Sequence, residues 1–138
     1  MTKVSMSSKI PASAGTVWDM VKGFNDLPNW LPPIAKCEST GDGVGSKRTL
    51  TLGDGTKVVE ELEEYDDGSR TFTYLIVDSP LPLTGYRSSV TIRDSGDGAE
   101  MDWNAEFEPA GAPEADVRQL VEGLYQAGFD NLKKMFGG

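Results

Sequence analysis

Residues 86–107 read YRSSVTIRDSGDGAEMDWNAEF, and this stretch decides the fold. Two segments in it alternate between the two faces of a chain, which is the pattern of β-strands with one buried face. The inward faces comprise Tyr86, Ser88, Val90 and Ile92 in the first segment, and Met101, Trp103, Ala105 and Phe107 in the second. The letters SGDG between the segments signal a turn, so the two strands are predicted to pair antiparallel.

The same organisation extends toward the N-terminus. Strand character is found in six segments: 34–40, 45–52, 57–66, 70–78, 86–94 and 98–108. Short turn signals, such as GDG at 53–55, separate these segments. Residues 3–10 alternate as a half-buried strand that Pro11 ends. The pattern predicts seven strands, mostly in an antiparallel meander with one face in water.

Helices are predicted at two places. Ser13 can cap a short helix with apolar residues at Val17, Val21 and Phe24, and one further turn fits before Pro32. A long helix from Pro113 to about Phe136 has an apolar stripe comprising Val117, Leu120, Val121, Leu124, Gly128, Leu132 and Met135. This helix is the one element large enough to cover the sheet, and because it cannot fill a curved sheet completely, we expect an interior pocket.

Five stretches carry a resemblance that covers nearly the whole chain: IPASAGTVWDMVKGFNDLPNWLP, GVGSKRTLTLGDGTKVVEELEEYDD, FTYLIVDSPLPLTGYRSSVTI, AEMDWNAEFEP and LYQAGFDNLKKMF. They resemble the START-like, birch-pollen-allergen-like (SRPBCC) superfamily, and within it the small bacterial polyketide cyclase/dehydrase-and-lipid-transport proteins. The resemblance implies one α+β domain over residues 1–138 with a helix-grip fold. In that fold a curved, seven-stranded antiparallel sheet (β-α-α-β6-α) wraps around the C-terminal helix.

The composition of the chain limits the kinds of partner that the protein is expected to bind. The chain of 138 residues has a formal net charge of −9, which disfavours binding to nucleic acid or to an anionic membrane face. No apolar run approaches the roughly 20 residues of a membrane span, and the first ten residues lack the hydrophobic region of a signal peptide. We therefore expect a cytoplasmic protein. The resemblance implies that its partner is a hydrophobic small molecule, and we expect the protein to be a monomer.

Several catalytic classes are excluded by missing residue types. The chain has no histidine and one cysteine, Cys37, so a Ser-His-Asp triad, a Cys-His pair and His or thiolate metal sites are impossible. Dinucleotide and P-loop motifs are absent too. We predict no metal and no cofactor, assign no catalytic residue, and interpret Cys37 as a small buried apolar residue.

The turn at Gly53-Asp54-Gly55 predicts one polar pair. A three-residue turn sets Leu50 opposite Val58 and Arg48 opposite Glu60, whereas a two-residue turn would mismatch the apolar faces. Arg48 and Glu60 then point inward and can anchor a ligand, unless they form a plain ion pair or an exposed cross-strand pair. In either case Arg48 is expected to lower the pKa of Glu60.

The remaining candidates for ligand contact are apolar and aromatic. The resemblance implies that the proline-stiffened connection SPLPLTG at 79–85 flanks the mouth of the cavity. We therefore predict that Leu81 and Leu83 form a lip over the entrance or else tuck into the core. The other candidates are Trp30, Phe72, Tyr74, Tyr86 and Trp103, together with Leu124 and Gly128 of the long helix. The orientation of the 70–78 strand is left open, since both of its faces contain apolar residues.

The leading hypothesis is a binding module that takes a lipid, polyketide or similar molecule into an internal cavity. The alternative is a polyketide cyclase or dehydratase that uses the same cavity, with Glu60 as base, Tyr74 or Tyr86 as acid and Arg48 stabilising an enolate. A protein-interaction domain ranks last. The sequence leaves open whether any reaction is catalysed.

Overall fold

A computed structural model describes residues 2–23, 26–41 and 43–137. Within these residues the strands are β1 (Thr2–Ile10), β2 (Ile34–Thr40), β3 (Lys47–Leu52), β4 (Lys57–Asp66), β5 (Thr71–Asp78), β6 (Leu83–Ser95) and β7 (Gly98–Pro109). The helices are α1 (Ala14–Val21) and α2 (Glu114–Gly137), and a single 3-10 turn covers Leu27–Asn29. Phe24, which was predicted to extend the apolar face of α1, lies outside the described residues.

All seven strands form one sheet in the order β1-β7-β6-β5-β4-β3-β2, with every neighbouring pair antiparallel. Strands β2 to β7 form a meander, and β1 returns to pair with the last strand, from Thr2 opposite Phe107 to Ile10 opposite Ala99. Helix α2 lies against the curved sheet. The predicted α+β helix-grip fold is confirmed.

The hairpin of β6 and β7 forms where the alternating pattern placed it. Val90, Ile92 and Met101 are buried on the inner face, and Ser95 pairs with Gly98 at the turn. Gly96, the first of the two turn residues, has φ +58°, which a residue without a side chain adopts at little cost. Local sequence therefore sets both the pairing and the buried face here.

Helix α2 buries a stripe that differs from the predicted one. The buried residues are Val117, Val121, Tyr125, Gly128, Phe129 and Leu132. Leu120 and Met135, predicted to be buried, are 46% and 41% exposed. The helix carries two overlapping apolar stripes, and the sheet takes the one that includes Tyr125 and Phe129 because aromatic side chains bury the largest apolar area.

Helix α1 closes one end of the concave face. Its N-cap is the predicted Ser13, whose Oγ accepts a hydrogen bond from the backbone N–H of Thr16 at 3.3 Å. Trp18 packs beside Tyr65 and Phe72 and donates a hydrogen bond from Nε1 to Asp67 at 2.7 Å. This end of the fold is therefore filled by aromatic contacts.

Strands β5 and β6 separate before they reach their connection. Their pairing ends at Leu75 opposite Arg87, although β6 begins earlier, at Leu83, where it pairs with Pro109 of β7. The expectation that Leu83 belongs to the connecting loop is wrong, because the long strand β7 supplies a partner for it. A register shift between Thr84 and Arg87 accompanies a positive φ of 65° at Gly85, so β6 bends away from β5.

Candidate functional site

A cavity of about 80 Å³ lies between the sheet and helix α2, at the end remote from α1. Its walls come from β2 to β6, from the β5–β6 connection and from α2. The lining residues are Ile34, Leu50, Leu52, Val58, Glu60, Ile76, Leu81, Leu83, Tyr86, Leu120, Val121 and Leu124. Because Leu120 is also 46% exposed, the cavity approaches the protein surface along this face of α2.

Two of the described lining residues, Glu60 and Tyr86, have polar side-chain atoms, and the others are aliphatic. Glu60 is held by the predicted register, in which Arg48 of β3 lies opposite Glu60 of β4. The guanidinium contacts one carboxylate oxygen twice, with Nε and Nη2 of Arg48 at 2.8 Å and 2.6 Å from Oε1. The alternative of an exposed cross-strand pair is thus wrong, because Arg48 and Glu60 are 3% and 6% exposed.

The protonation of Glu60 is set by two opposing effects. Burial raises the pKa of the Glu60 carboxyl, and the charge and hydrogen bonds of Arg48 offset only part of that increase. Arg48 acts in the direction expected from the sequence, because its charge and hydrogen bonds lower the pKa of Glu60. The pKa is nevertheless raised overall, because the carboxyl loses nearly all contact with water and desolvation has the larger effect.

Tyr86 belongs to a buried chain of hydroxyl groups. Its hydroxyl is hydrogen-bonded to that of Tyr125, which lies 2.8 Å from the hydroxyl of Ser88. Ser88 in turn donates to the backbone carbonyl of Asn104 at 2.9 Å. Burial raises the pKa values of Tyr86 and Tyr125 well above their ordinary range, so both phenols stay protonated in the folded protein.

A layer of aromatic residues fills the centre of the fold beside the cavity. The rings of Trp103 and Tyr125 stack with centroids 4.0 Å apart, and Trp30 approaches Trp103 at 5.4 Å. Trp103 also donates a hydrogen bond from Nε1 to the hydroxyl of Tyr74 at 3.1 Å. These contacts pack aromatic side chains between the curved sheet and the helix, beside the cavity.

The structure divides the eleven predicted ligand-contact residues into two groups. Those that line the cavity are Glu60, Leu81, Leu83, Tyr86 and Leu124. Those that lie in the surrounding core are Trp30, Arg48, Phe72, Tyr74, Trp103 and Gly128. Phe72 and Tyr74 do point inward, which settles the orientation of β5, but they pack against Trp18 and Tyr86.

Sequence reasoning missed several residues of the site. Tyr125 and Ser88 connect to the polar side of the cavity, and Val121 and Ile34 form part of its apolar wall. The four-residue spacing of Val117, Val121, Tyr125 and Phe129 was the available signal for Tyr125. Ser88 lies on a predicted inner face, where a buried hydroxyl requires a partner.

A second space lies where β5 and β6 separate. This cleft of about 250 Å³ is lined by residues from Ile76 to Ser79 and from Leu83 to Tyr86. Ile76, Leu83 and Tyr86 line both the cleft and the cavity, so the two spaces are neighbours. The gap in the sheet therefore reaches the wall of the apolar cavity.

Cys37 offers no sign of a reactive thiol. It is half-buried in β2, opposite Leu50 of β3, and burial raises the pKa of its thiol. A raised pKa keeps the sulfur in its unreactive protonated form. Within the ranges that the structure describes, no three Cys, Asp or Glu side chains come together as a metal site requires.

Fold and cavity define a helix-grip protein of the SRPBCC superfamily, and comparison with known proteins identifies the family. The chain belongs to the family described as polyketide cyclase / dehydrase and lipid transport, whose sequence profile matches residues 1–137. Comparison with curated protein sequences returned no match. The resemblance predicted from the sequence is confirmed.

Solved structures agree with this assignment. The protein XoxI from Bacillus cereus is 31% identical with a TM-score of 0.93, and the match covers 99% of this chain and 96% of that chain. An uncharacterized protein from Bacillus thuringiensis has the same identity and TM-score, with 99% and 100% covered. Ara h 8.0201, at 20% identity and a TM-score of 0.80 over 98% and 97% of the two chains, shares the fold.

The helices were also compared with the requirements of a bilayer. In the described part of the chain, none combines the length and hydropathy needed to cross a membrane.

Proposed function

We propose that this protein binds a small hydrophobic or aromatic molecule, such as a lipid fragment or a polyketide, in the cavity between the sheet and α2. The observation that carries the proposal is the cavity wall, which is aliphatic apart from Glu60 and Tyr86. Ligand sites are typically apolar with a few convergent polar groups, and this wall has that composition. Membership of a family described by lipid transport supports the same conclusion.

The volume of the cavity restricts how a ligand enters. Sites for drug-sized ligands have roughly 300–1,000 Å³, and the cavity has about 80 Å³. A small aromatic ring or a short alkyl chain enlarges it by moving the side chains at its edge. Leu81 and Leu120 are the candidates for this movement, because both are partly exposed and each is anchored on one side of the opening.

Apolar contact supplies most of the affinity in this proposal. Burial of apolar surface contributes about 25 cal/mol per Å², so 200 Å² of ligand surface provides on the order of 5 kcal/mol before the cost of association. From this estimate we expect small fragments to bind weakly. Longer molecules that also occupy the cleft between β5 and β6 should bind with higher affinity.

A screen by thermal shift and native mass spectrometry tests the proposal. The panel contains alkyl alcohols, alkylphenols, flavonoids, sterols and small polyketides. We expect at least one class to raise the melting temperature and to appear as a bound mass. Leu124→Trp, which fills the cavity from α2, should remove both effects, whereas the control Met135→Trp changes a 41% exposed residue of the same helix outside the cavity and should retain them.

Two results would contradict this proposal. One is a panel in which no compound changes the melting temperature of the wild-type protein. The other is equal binding by wild type and Leu124→Trp, which would locate the ligand elsewhere on the molecule.

The enzymatic alternative has one supporting observation, the raised pKa of Glu60 at the cavity wall. A carboxylate with a raised pKa is a stronger base than an ordinary one. Two of its proposed helpers lie outside the cavity wall, because Arg48 does not line the cavity and the hydroxyl of Tyr74 accepts a hydrogen bond from Trp103 within the core. The other proposed acid, Tyr86, does line the cavity. Glu60→Gln should abolish turnover if a cyclisation or dehydration occurs, and should only change affinity if the protein is a binding module.

The partner and compartment expected from the sequence remain part of the proposal. A net charge of −9 disfavours nucleic acid as a partner, and a small molecule held inside one chain does not require an oligomer. A monomer in the cytoplasm is the arrangement that we propose.

A further inference from the structure

We propose that the cavity selects apolar molecules that carry a hydrogen-bond donor, such as phenols, alcohols or amines. Molecules of the same shape that carry only an acceptor or a carboxylate are rejected. The inference depends on the proposed function, because it assigns the ligand chemistry of that same cavity. Its basis is the direction of the hydrogen bonds at Tyr86 and Glu60, which are the two polar side chains among the described lining residues.

The first step concerns the proton of Tyr86. A carbonyl oxygen can only accept, so Ser88 must use its single proton to donate to the carbonyl of Asn104. Tyr125 must then donate to the hydroxyl oxygen of Ser88. Because the proton of Tyr125 is committed, Tyr86 must donate to the hydroxyl oxygen of Tyr125. The hydroxyl of Tyr86, a residue of the cavity wall, therefore has lone pairs but no free proton to donate.

The second step concerns the free oxygen of Glu60. Both contacts between the Arg48 and Glu60 side chains use Oε1. Oε2 has no hydrogen-bond partner among residues 2–23, 26–41 and 43–137, although Glu60 is 6% exposed and lines the cavity. Oε2 is not among the fully buried, unpaired side-chain atoms of the described residues, so it retains access to open space. A donor on a ligand in the cavity can supply the partner that this acceptor lacks.

The third step concerns the absence of a compensating donor. The other described lining side chains are aliphatic and cannot donate a hydrogen bond. A ligand with a hydroxyl or amino group satisfies Oε2 of Glu60 or the oxygen of Tyr86. An ether or a ketone carries only a hydrogen-bond acceptor, which cannot pair with the acceptor oxygens of Glu60 and Tyr86. A carboxylate is in addition repelled by the like charge of Glu60. The polar groups of the cavity thus discriminate by hydrogen-bond direction.

A matched ligand series measures this discrimination directly. The probes are para-ethylphenol, para-ethylaniline, para-ethylanisole, para-ethylbenzoate and ethylbenzene, each titrated by calorimetry and located by NMR shifts of the cavity methyl groups. Work at about pH 8 keeps the phenol neutral. We expect the phenol and the aniline to bind at least about tenfold more tightly than the anisole, with the benzoate weakest.

Three variants connect the preference to the two acceptors. Glu60→Gln replaces Oε2 with a group that can also donate, and Tyr86→Phe removes the second acceptor while leaving the Arg48–Glu60 pair intact. Each should reduce the ratio of phenol to anisole affinity several-fold. Glu61→Gln is the matched control, since Glu61 lies next in sequence on the outer face of β4, and it should leave the ratio unchanged. If Glu60→Gln does not fold, Tyr86→Phe still gives the comparison.

Each outcome decides a different question. A phenol preference that decreases in the Glu60 or Tyr86 variant supports the inference. Equal binding of phenol, anisole and ethylbenzene by the wild-type protein overturns it while leaving hydrophobic binding in place. Failure of every probe to bind contradicts the proposed function itself and removes the inference with it.

Discussion

Glu60 lies in an environment very different from that of a free carboxylate in water. It is a carboxylate in an aliphatic wall, balanced by Arg48 through one oxygen. A buried ion pair contributes little net stability when both partners are present, yet the loss of one partner leaves an unpaired charge. The pair therefore serves the position and charge of Glu60 more than the stability of the fold.

Removal of the cation tests this balance. Arg48→Met should lower the free energy of unfolding by about 3–5 kcal/mol, because Glu60 is left as a buried charge without its partner. Urea denaturation measures the change. The double variant Arg48→Met/Glu60→Leu should recover much of the loss, since an apolar pair of similar volume needs no counter-charge.

An exposed pair provides the comparison. Arg93 of β6 binds Asp102 at 2.7 Å, but its side chain is 51% exposed. Arg93→Met should cost less than about 1 kcal/mol because solvent screens this pair. Equal losses for Arg48→Met and Arg93→Met would contradict the assignment of a desolvated charge to Glu60.

At the scale of elements, helix α2 depends on one close approach to the sheet. A Cβ added at Gly128 would lie 2.9 Å from Cζ3 of Trp103 and 3.0 Å from Cδ1 of Leu31. Gly128 therefore permits a close approach between α2 and the aromatic core, and it does not line the cavity. The glycine sets the distance between α2 and the tryptophan layer.

Two glycines of the same helix give a matched pair of variants. Gly128→Ala should destabilise the protein by roughly 1–2 kcal/mol, since the overpacking cost exceeds the gain in helix propensity. Gly123→Ala should instead stabilise it by up to about 1 kcal/mol, because its added Cβ meets nothing within 4 Å. Thermal unfolding of both variants measures these changes in stability. A stabilising effect of Gly128→Ala would refute the close approach.

At the scale of the whole molecule, the buried hydroxyl chain links stability to alkaline pH. The pKa values of Tyr86 and Tyr125 lie well above the ordinary value of about 10 in the folded state. Above that pH the unfolded chain releases protons that the folded protein keeps, so the folded state binds more protons. Stability is then full below pH 10 and decreases as the pH rises further.

An alkaline titration of tyrosinate absorbance tests this linkage. Of the four tyrosines, Tyr65 is 40% exposed and should ionise while the protein is folded. Tyr74, Tyr86 and Tyr125 should ionise only together with the loss of the circular dichroism signal, because ionisation in the core requires unfolding. In Tyr65→Phe the early phase should disappear. Smooth titration of all four before unfolding would contradict the buried network.

The amount of the structure that could be predicted differs between the sheet and the site. Strand positions and the opposition of Arg48 and Glu60 were predictable, because alternation and a three-residue turn act between residues close in sequence. The cavity wall was half predicted. Leu83 and Tyr86 were identified, but Val121 and Ile34 were not, because a wall shared by α2 and β2 brings together distant parts of the chain.

The sequence by itself determined the order of strands and helices, the buried face of the clearly alternating strands β6 and β7, and the register of the hairpin formed by β3 and β4. These features depend on period, turn residues and polarity, which neighbouring residues fix locally. Only the tertiary structure decided which stripe of α2 is buried, how much of the interior stays empty and which way the hydroxyl protons point. Those outcomes depend on how the volumes and hydrogen bonds of distant elements fit together, and no local pattern contains that information.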